Sequence, residues 1–295
     1  MSNRSPQTEA VDTSTADIDR LDSVALARIL VAANHTAVDA ALAAASDIAR
    51  AIDAVVTAVR ADHRVHYVGA GTSGRLGVLD ASELPPTFGV DPALFDARIA
   101  GGDAALRHAV EGAEDDAAAG ATAVGHVQRG DVVIGISASG GAPFVCGALR
   151  AAREGGARTV AIVNSAGALL AAHADIAIVL ATGAEPIAGS TRLKAGTAQK
   201  IVLNAISTGA MVQLGKTYGN RMVDLIASNT KLRARAEALV REIAGGDVDA
   251  TALLVQSGGS VKTAIVMARI GCSRAEAERR LADARGRLAV VIDPD

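Results

Sequence analysis

Short apolar runs alternate with helix-length segments through the middle of the chain. The runs read RVHYVGA, ARIAGG, DVVIGIS, TVAIVN and ADIAIVLATG, and aliphatic residues dominate each of them. Runs of this length, separated by segments with helical spacing, are typical of buried strands in βαβ units. The pattern predicts an α/β fold: a doubly wound, mainly parallel sheet flanked by helices.

Both ends of the chain depart from this alternation. The first 20 residues are polar and predict an arm, whereas residues 23–59 carry the apolar spacing of two helices. A later long helix is predicted to open at Ser190 and Thr191, whose hydroxyls suit N-cap positions. Beyond Gly245, the pattern predicts three short helices, the last capped by Ser273. We therefore expect an arm over 1–20, an α/β domain over 21–245 and a helical bundle over 246–295.

Composition narrows the classes of partner. Half of the 295 residues are apolar, which allows a sizeable core, but only 2% are aromatic and the net charge is −3. Nucleic-acid binding needs basic and stacking residues, so it is not expected. The apolar runs are too short to span a bilayer and the polar start is no secretory signal, which favours a cytoplasmic protein without membrane contact. The two cysteines, Cys146 and Cys272, are expected to be buried thiols.

A glycine pattern follows the first predicted strand. Gly69, Gly71 and Gly74 have the spacing of a dinucleotide-binding turn, which lets an anion approach the N–H groups at a helix start. A dinucleotide site would also need an acidic residue after the second strand, but Asp91 and Asp96 come before the run ARIAGG. No phosphate-binding P-loop motif occurs either. The glycines therefore indicate an anion site without saying which anion.

Hydroxyl groups follow three of the predicted strands. Because the carboxyl ends of parallel strands meet at one edge of a sheet, we expect these loops to lie together. Small hydroxyls between glycines suit a phosphate monoester, although in any one loop they could equally be helix caps. Three such loops favour a sugar-phosphate pocket. The candidate residues are Thr72, Ser73, Ser137, Ser139, Ser190 and Thr191, with Glu185 and Lys194 beside the last pair.

Two carboxylates are candidates for acid/base chemistry. Glu83 stands just ahead of Pro85 and Pro86, which are predicted to end its helix, and Glu114 lies near the end of a later apolar pattern. Each could instead be a solvated charge at a helix end. Asp80 ranks lower, because a helix that faces the sheet could need it only as an internal hydrogen-bond acceptor.

The histidines give no sign of a metal or a nucleophile. Six histidines are scattered along the chain without HExxH or Cys/His ligand spacing, and no GxSxG motif is present. We expect no metal.

Several longer blocks resemble one known family. They read YVGAGTSGRLGVLDASELPPTFG, GAEDD, GISASGGAPFV, AGSTRLKAGTAQKIVLNAISTGAMVQLGKTYGNRMVD and SVKTAIVM, in this order from about Leu21 to Leu288. Together they closely resemble the N-acetylmuramic acid 6-phosphate etherases. The resemblance implies a sugar isomerase (SIS) fold followed by a small three-helix bundle similar to ubiquitin-associated (UBA) domains.

The resemblance also implies a reaction. Members of this family cleave the D-lactyl ether at C3 of N-acetylmuramic acid 6-phosphate, giving N-acetylglucosamine 6-phosphate and D-lactate in cell-wall sugar recycling. Their two acid/base glutamates fall on Glu83 and Glu114. We take Glu83 as the proton donor to the ether oxygen and Glu114 as the base at C2, and the sequence leaves the reverse assignment open. Proton transfers and water suffice, so no cofactor is expected.

Substrate binding and assembly follow from the same resemblance. A homodimer is expected, because SIS proteins commonly dimerise near their sites, and the substrate is a small phosphosugar. The alternative is a non-catalytic sugar-phosphate regulator, since the fold also resembles the glucokinase regulatory protein. We favour the enzyme because both glutamates are in place. The implied substrate-binding residues are Gly71, Thr72, Ser73, Ser137, Ser139, Ser190, Thr191 and Lys194.

One loop departs from the family pattern. Where the family often has Ser-Gly-Arg-Thr-Pro, this chain has Ser139, Gly140, Gly141, Ala142 and Pro143. The change removes a cation and a hydroxyl, so ligand contacts in this loop are expected to differ.

Overall fold

Five parallel strands form the central sheet of the computed structural model, which describes residues 7–224 and 230–293. The sheet order is β2-β1-β3-β4-β5, and every neighbouring pair is parallel. The predicted α/β fold and its five strands are confirmed. The strands are β1 Val65–Gly69, β2 Phe95–Ile99, β3 Val132–Ser137, β4 Arg158–Val163 and β5 Ile176–Val179.

The inner strands are buried because helices cover the sheet. All residues of β1 and β3 are buried, as a parallel sheet covered on both faces requires. The helices before and between the strands are α1 Ser23–Ala32, α2 His35–Ala43, α3 Ala45–Arg60, α4 Gly71–Phe88, α5 Ala117–Ala123, α6 Pro143–Glu154, α7 Leu169–Ala172 and α8 Lys194–Gln213.

A short hairpin and five helices follow. These are β6 Thr217–Tyr218, β7 Arg221–Met222, α9 Thr230–Ala244, α10 Ala250–Gln256, α11 Val261–Ile270, α12 Arg274–Asp283 and α13 Leu288–Ile292. The C-terminal bundle thus has a fourth helix, α13, that we did not predict. Ser273 caps a helix as expected, since its hydroxyl accepts from the N–H of Glu276 at the start of α12.

The chain divides into two compact units. The first comprises residues 1–82 and 93–207, and the second comprises residues 83–92 and 208–295. The core of the second unit joins α9 to the last helices through buried residues such as Val240, Ile265 and Leu281. Within it, Lys262 Nζ lies 2.7 Å from an Asp224 carboxylate oxygen. The division into an arm over 1–20, an α/β domain over 21–245 and a helical bundle over 246–295 stays a prediction.

Three local expectations were wrong. Residues 23–60 form three helices, not two, because the chain also turns between α2 and α3. Helix α4 continues through Pro85 and Pro86 to Phe88, so these prolines lie inside the helix and do not end it. Helix α8 begins at Lys194, because the buried carboxylate of Glu185 accepts from the N–H groups of Lys194 and Ala195 and caps the helix there.

The N-terminal segment combines a folded arm with exposed apolar helices. Residues of the arm form short 3₁₀ turns, and the Thr15 hydroxyl donates a 2.9 Å hydrogen bond to the carbonyl of Pro186. The stretch Ser23–Ala43 is long and apolar enough to cross a membrane by length and composition alone, and 17% of its most apolar window is buried. Core helices and signal sequences meet the same criterion, so this is weak support for a membrane span.

Candidate active site

The ends of β1 and β3 open into one cavity in the first unit. The neighbours of β1 are β2 and β3, so connections leave the sheet in opposite directions there, and ligands bind at such a switch point. The cavity has a volume of about 460 Å³. It is lined by Glu9, Ala70, Gly71, Thr72, Ser73, Glu114, Asp115, Ile136, Ser137, Ala138, Ser139, Gly141, Ala142, Pro143, Gly189 and Thr191.

The glycines after β1 make the turn possible. A Cβ on Gly69 would lie 2.6 Å from the backbone nitrogen of Gly74. The end of β1 and the start of α4 therefore approach each other more closely than a side chain at position 69 would permit. Gly71 begins α4 with a φ of +53°, a conformation that L side chains rarely adopt. The pattern therefore brings a helix N-terminus, with its N–H groups, to the cavity.

Two hydroxyl oxygens at the end of β3 and in the loop after it accept hydrogen bonds from backbone N–H groups. Ser137 Oγ accepts from the N–H of Gly140 at 3.1 Å, and Ser139 Oγ accepts from the N–H of Gly141 at 3.3 Å. Since these oxygens act as acceptors within the loop, their own O–H groups are directed elsewhere. Both residues line the cavity, so both hydroxyls are placed to donate to an anion.

The hydroxyl of Ser73 has a different role. It donates to Gln199 Oε1 at 2.9 Å, and Gln199 Nε2 donates to Asn164 Oδ1 at 2.9 Å, all three side chains being buried. The Ser73 proton is therefore held within the protein. The backbone N–H of Ser73, in the first turn of α4, has no carbonyl partner within that helix and can donate to a ligand.

The loop before α8 contributes fewer cavity residues than expected. Thr191 lines the cavity, but Ser190 and Lys194 are not among the lining residues. Lys194 is 6% exposed at the first position of α8. The role of Ser190 and Lys194 in binding stays a prediction.

The charged residues that line the cavity, in the part of the chain that the structure describes, are all carboxylates. Glu114 and Asp115 lie in a 3₁₀ turn and are exposed. Glu9 reaches the same cavity from the arm, and among the described lining residues none is a lysine or arginine. Glu114 also lines a smaller adjoining cavity of about 170 Å³, together with Arg75 and His108. Glu114 therefore lies where two cavities meet.

The other two candidate carboxylates lie elsewhere. Glu83 is exposed on α4, belongs to the second unit and is not one of the lining residues. Asp80 is buried and accepts from the hydroxyl of Tyr67 at 2.8 Å, from Asn204 at 2.6 Å and from Ser207 at 3.1 Å. Asp80 is thus an internal hydrogen-bond acceptor. Because its carboxylate is buried, it needs these hydrogen-bond donors.

Sequence reasoning missed two residues at this site. Glu9 lies in a polar arm whose composition gives no sign that it folds back onto the sheet. Gln199 lies more than one hundred residues after Ser73 in the chain, so only the fold shows that they are hydrogen-bonded. The buried, polar face of a long helix was the one signal that could have indicated Gln199.

The chain is similar to known proteins of the SIS fold. Residues 47–153 match the glucokinase regulatory protein N-terminal SIS domain, and residues 109–208 match the SIS domain. A phosphoheptose isomerase structure from Francisella tularensis is similar with a TM-score of 0.52 and 19% identity, covering 65% of this chain and 100% of that one. This likeness shows the SIS fold.

Two curated relatives are similar over nearly their full length. N-acetylmuramic acid 6-phosphate etherase from Deinococcus radiodurans is 50% identical over 97% of this chain and 95% of its own. The protein of the same name from Shigella flexneri is 44% identical over 98% of both chains. The chain belongs to the N-acetylmuramic acid 6-phosphate etherase family.

Proposed function

We propose that this protein is a lyase that cleaves the D-lactyl ether of N-acetylmuramic acid 6-phosphate in cell-wall amino sugar recycling. The products are N-acetylglucosamine 6-phosphate and D-lactate. The observation that carries the proposal is one cavity in which a carboxylate, Glu114, faces hydroxyls and helix N-termini suited to a phosphosugar. Relatives of that name, similar along the whole chain, support the reaction.

The phosphate group binds at the helix start beside β1 and in the loop after β3. The N–H groups of Gly71, Thr72 and Ser73 and the hydroxyls of Ser137 and Ser139 are the proposed donors. N–H groups and the positive end of a helix dipole favour an anion, which matters here because no cationic side chain lines the cavity among the described residues. Thr191 completes this set, and Ser190 and Lys194 act from the start of α8.

Glu114 is the base that removes the proton from C2 of the sugar. In the open-chain sugar the C2 proton lies next to the C1 aldehyde, so the Glu114 carboxylate removes it and the electron pair is delocalised as an enolate. Backbone N–H groups of the glycine-rich loops stabilise that charge. The C3–oxygen bond then breaks, Glu83 protonates the departing lactate oxygen, and a double bond forms between C2 and C3. Water adds its hydroxyl at C3 and a proton returns to C2.

Glu83 is proposed to act in the cavity of a second copy. It follows Gly71 by twelve positions in the same helix, a rise of about 18 Å. The side chain of a glutamate is much shorter than this, so Glu83 does not reach a ligand at Gly71 of its own chain. A homodimer that shares its sites reconciles this spacing with the role of both glutamates.

Exposed apolar helices support the dimer. Val24, Val31 and Leu42 of α1 and α2 are 61–70% exposed, and α1 has no buried residue. Large exposed apolar patches mark interaction surfaces. We propose that these helices bind a second copy, which light scattering of the purified protein tests by giving twice the mass of the chain.

We also propose a cytoplasmic location, which cell fractionation tests.

Release of D-lactate from the phosphosugar tests the reaction. Glu114→Gln and Glu83→Gln should each lower kcat by about 10²–10⁴-fold, the usual contribution of an acid or base. Glu154→Gln, at an exposed end of α6, is the matched control and should leave kcat unchanged. A protein that binds the phosphosugar without releasing lactate would instead be the regulator, our alternative.

A further inference from the structure

A cluster of two histidines and an aspartate lies at the opposite edge of the sheet from the cavity. His66 and Asp96 are register partners near the amino-terminal ends of β1 and β2, and His126 lies in the connection between α5 and β3. His66 Nδ1 is 3.8 Å from Asp96 Oδ2, and His126 Nε2 is 3.4 Å from the same oxygen. All three ligand atoms lie within 4.8 Å of one another.

The ring of His66 is held in one orientation. Its Nε2 lies 3.3 Å from Asp131 Oδ2, and Asp131 also accepts from the backbone N–H groups of Arg64 and Gln128. A carboxylate at Nε2 fixes the proton on that nitrogen and leaves the lone pair of Nδ1 directed at Asp96. Carboxylates hold metal-binding histidines in this way in many proteins.

The Nδ1 atom of His66 has no other partner among the described residues. His66 is only 2% exposed, and its Nδ1 is a buried polar atom without a hydrogen bond. The neutral imidazole is the form that binds metals. A buried acceptor without a partner is costly, and a bound cation would remove that cost.

The remaining ligands are accessible to an ion from solvent. The Asp96 and His126 side chains are 31% and 43% exposed. Arg98 Nε also lies 2.8 Å from Asp96 Oδ2, but its side chain is 48% exposed and can turn into solvent. An ion from solvent can therefore meet Asp96 and His126 first, beside the buried nitrogen of His66.

We propose that His66 Nδ1, His126 Nε2 and Asp96 Oδ2 bind a zinc ion, with Asp131 orienting His66. Tetrahedral ligands about 2.1 Å from zinc lie about 3.4 Å apart, so the pair His126 and Asp96 already has the required spacing. Because His66 is held in place, the partly exposed Asp96 and His126 side chains would move toward its Nδ1, which lies 3.8 Å from Asp96 Oδ2. Imidazole and carboxylate ligands suit Zn²⁺, and a water molecule takes the fourth position. The ion links β1, β2 and the segment that leads into β3.

Local sequence spacing does not show this site. The three ligands are separated by thirty residues each, and parallel pairing of β1 with β2 brings the first two together. Our expectation of no metal rested on the absence of short ligand motifs, and the zinc proposal revises it.

Zinc and cobalt binding by the purified full chain tests the proposal. After treatment with a chelator and its removal, the wild-type protein should bind one Zn²⁺ per chain in calorimetry, and Co²⁺ should give the visible absorption of a tetrahedral site. His126→Ala and Asp96→Asn should each weaken Zn²⁺ binding by more than tenfold, and Asp131→Asn by about 10–100-fold. His35→Ala, at another exposed histidine, is the control and should bind as the wild type does.

Two results would overturn the zinc site. One is a wild-type protein that binds no Zn²⁺ at millimolar concentration, and the other is equal Zn²⁺ binding by the wild type and the folded double variant of Asp96 and His126. Circular dichroism shows that the variants are folded. D-lactate release by the same samples reports separately on the proposed reaction, so either proposal can fail alone.

Discussion

The Ser73 hydroxyl donates a 2.9 Å hydrogen bond to Oε1 of Gln199. Through this bond the glycine-rich turn after β1 is joined to α8, and Gln199 continues the network to Asn164, just after β4. The turn after β1 is therefore fixed by a buried polar network, so Ser73 has a structural role beside its proposed role in binding.

Replacing Ser73 should cost stability where replacing Ser139 does not. Ser73→Ala leaves Gln199 Oε1 buried without its donor, so we expect a loss of about 1–3 kcal/mol in the free energy of unfolding by urea. Ser139→Ala removes a hydroxyl at the cavity surface and should change stability by less than about 0.5 kcal/mol. Equal stability of both variants would show that the network does not hold the turn.

Restoring the family pattern after β3 should strengthen phosphosugar binding. Gly141 is exposed at the cavity, and a Cβ there would meet only Ser139 Oγ, at 3.8 Å. The double variant Gly141→Arg and Ala142→Thr adds a cation and a hydroxyl to a cavity lined by three carboxylates, so KM should fall. Gly141→Gln with Ala142→Thr is the uncharged control, and an equal KM for both would contradict the electrostatic explanation.

Without metal, stability should fall as the pH drops below about 6.5. Burial lowers the pKa of His66 in the folded state, and His126 lowers it further, while Asp131 and Asp96 oppose the shift. Between the ordinary pKa of 6.5 and the lower folded value, the unfolded chain binds more protons, so acid favours unfolding. The slope reaches at most about 1.4 kcal/mol per pH unit for this one group.

Urea unfolding in a chelator at pH 7.5, 6.5 and 5.5 measures this dependence. His66→Gln removes the titrating ring, so its free energy of unfolding should change less over this range than that of the wild type. Parallel curves for the two proteins would assign the pH dependence to groups other than His66.

Mixing two inactive variants should restore activity if the sites are shared. Glu83→Gln and Glu114→Gln chains, denatured together and refolded, form mixed dimers in which one cavity has both wild-type glutamates. D-lactate release should therefore exceed that of either variant refolded alone. No recovery from a mixture shown to contain mixed dimers would place both glutamates in one chain.

The sequence predicted the sheet well because buried parallel strands leave continuous apolar runs. It failed at the start of α8, because the cap is the carboxylate of Glu185, nine residues before Lys194, and not an adjacent hydroxyl. It failed at Pro85 and Pro86 because a proline's local preference does not decide where a packed helix ends. The cavity residues in the loops that follow β1 and β3 were predictable, because they come directly after predicted strands. The positions of Glu9 and Gln199 at the site depend on tertiary contacts, which the sequence does not show.

The most direct test of the proposed reaction is turnover of N-acetylmuramic acid 6-phosphate in deuterated water. Abstraction of the C2 proton, elimination and addition of water predict release of D-lactate and one deuterium at C2 of the N-acetylglucosamine 6-phosphate product, detected by NMR. Lactate release with no deuterium at C2 would contradict the elimination route, and no lactate at saturating substrate would contradict the proposed function.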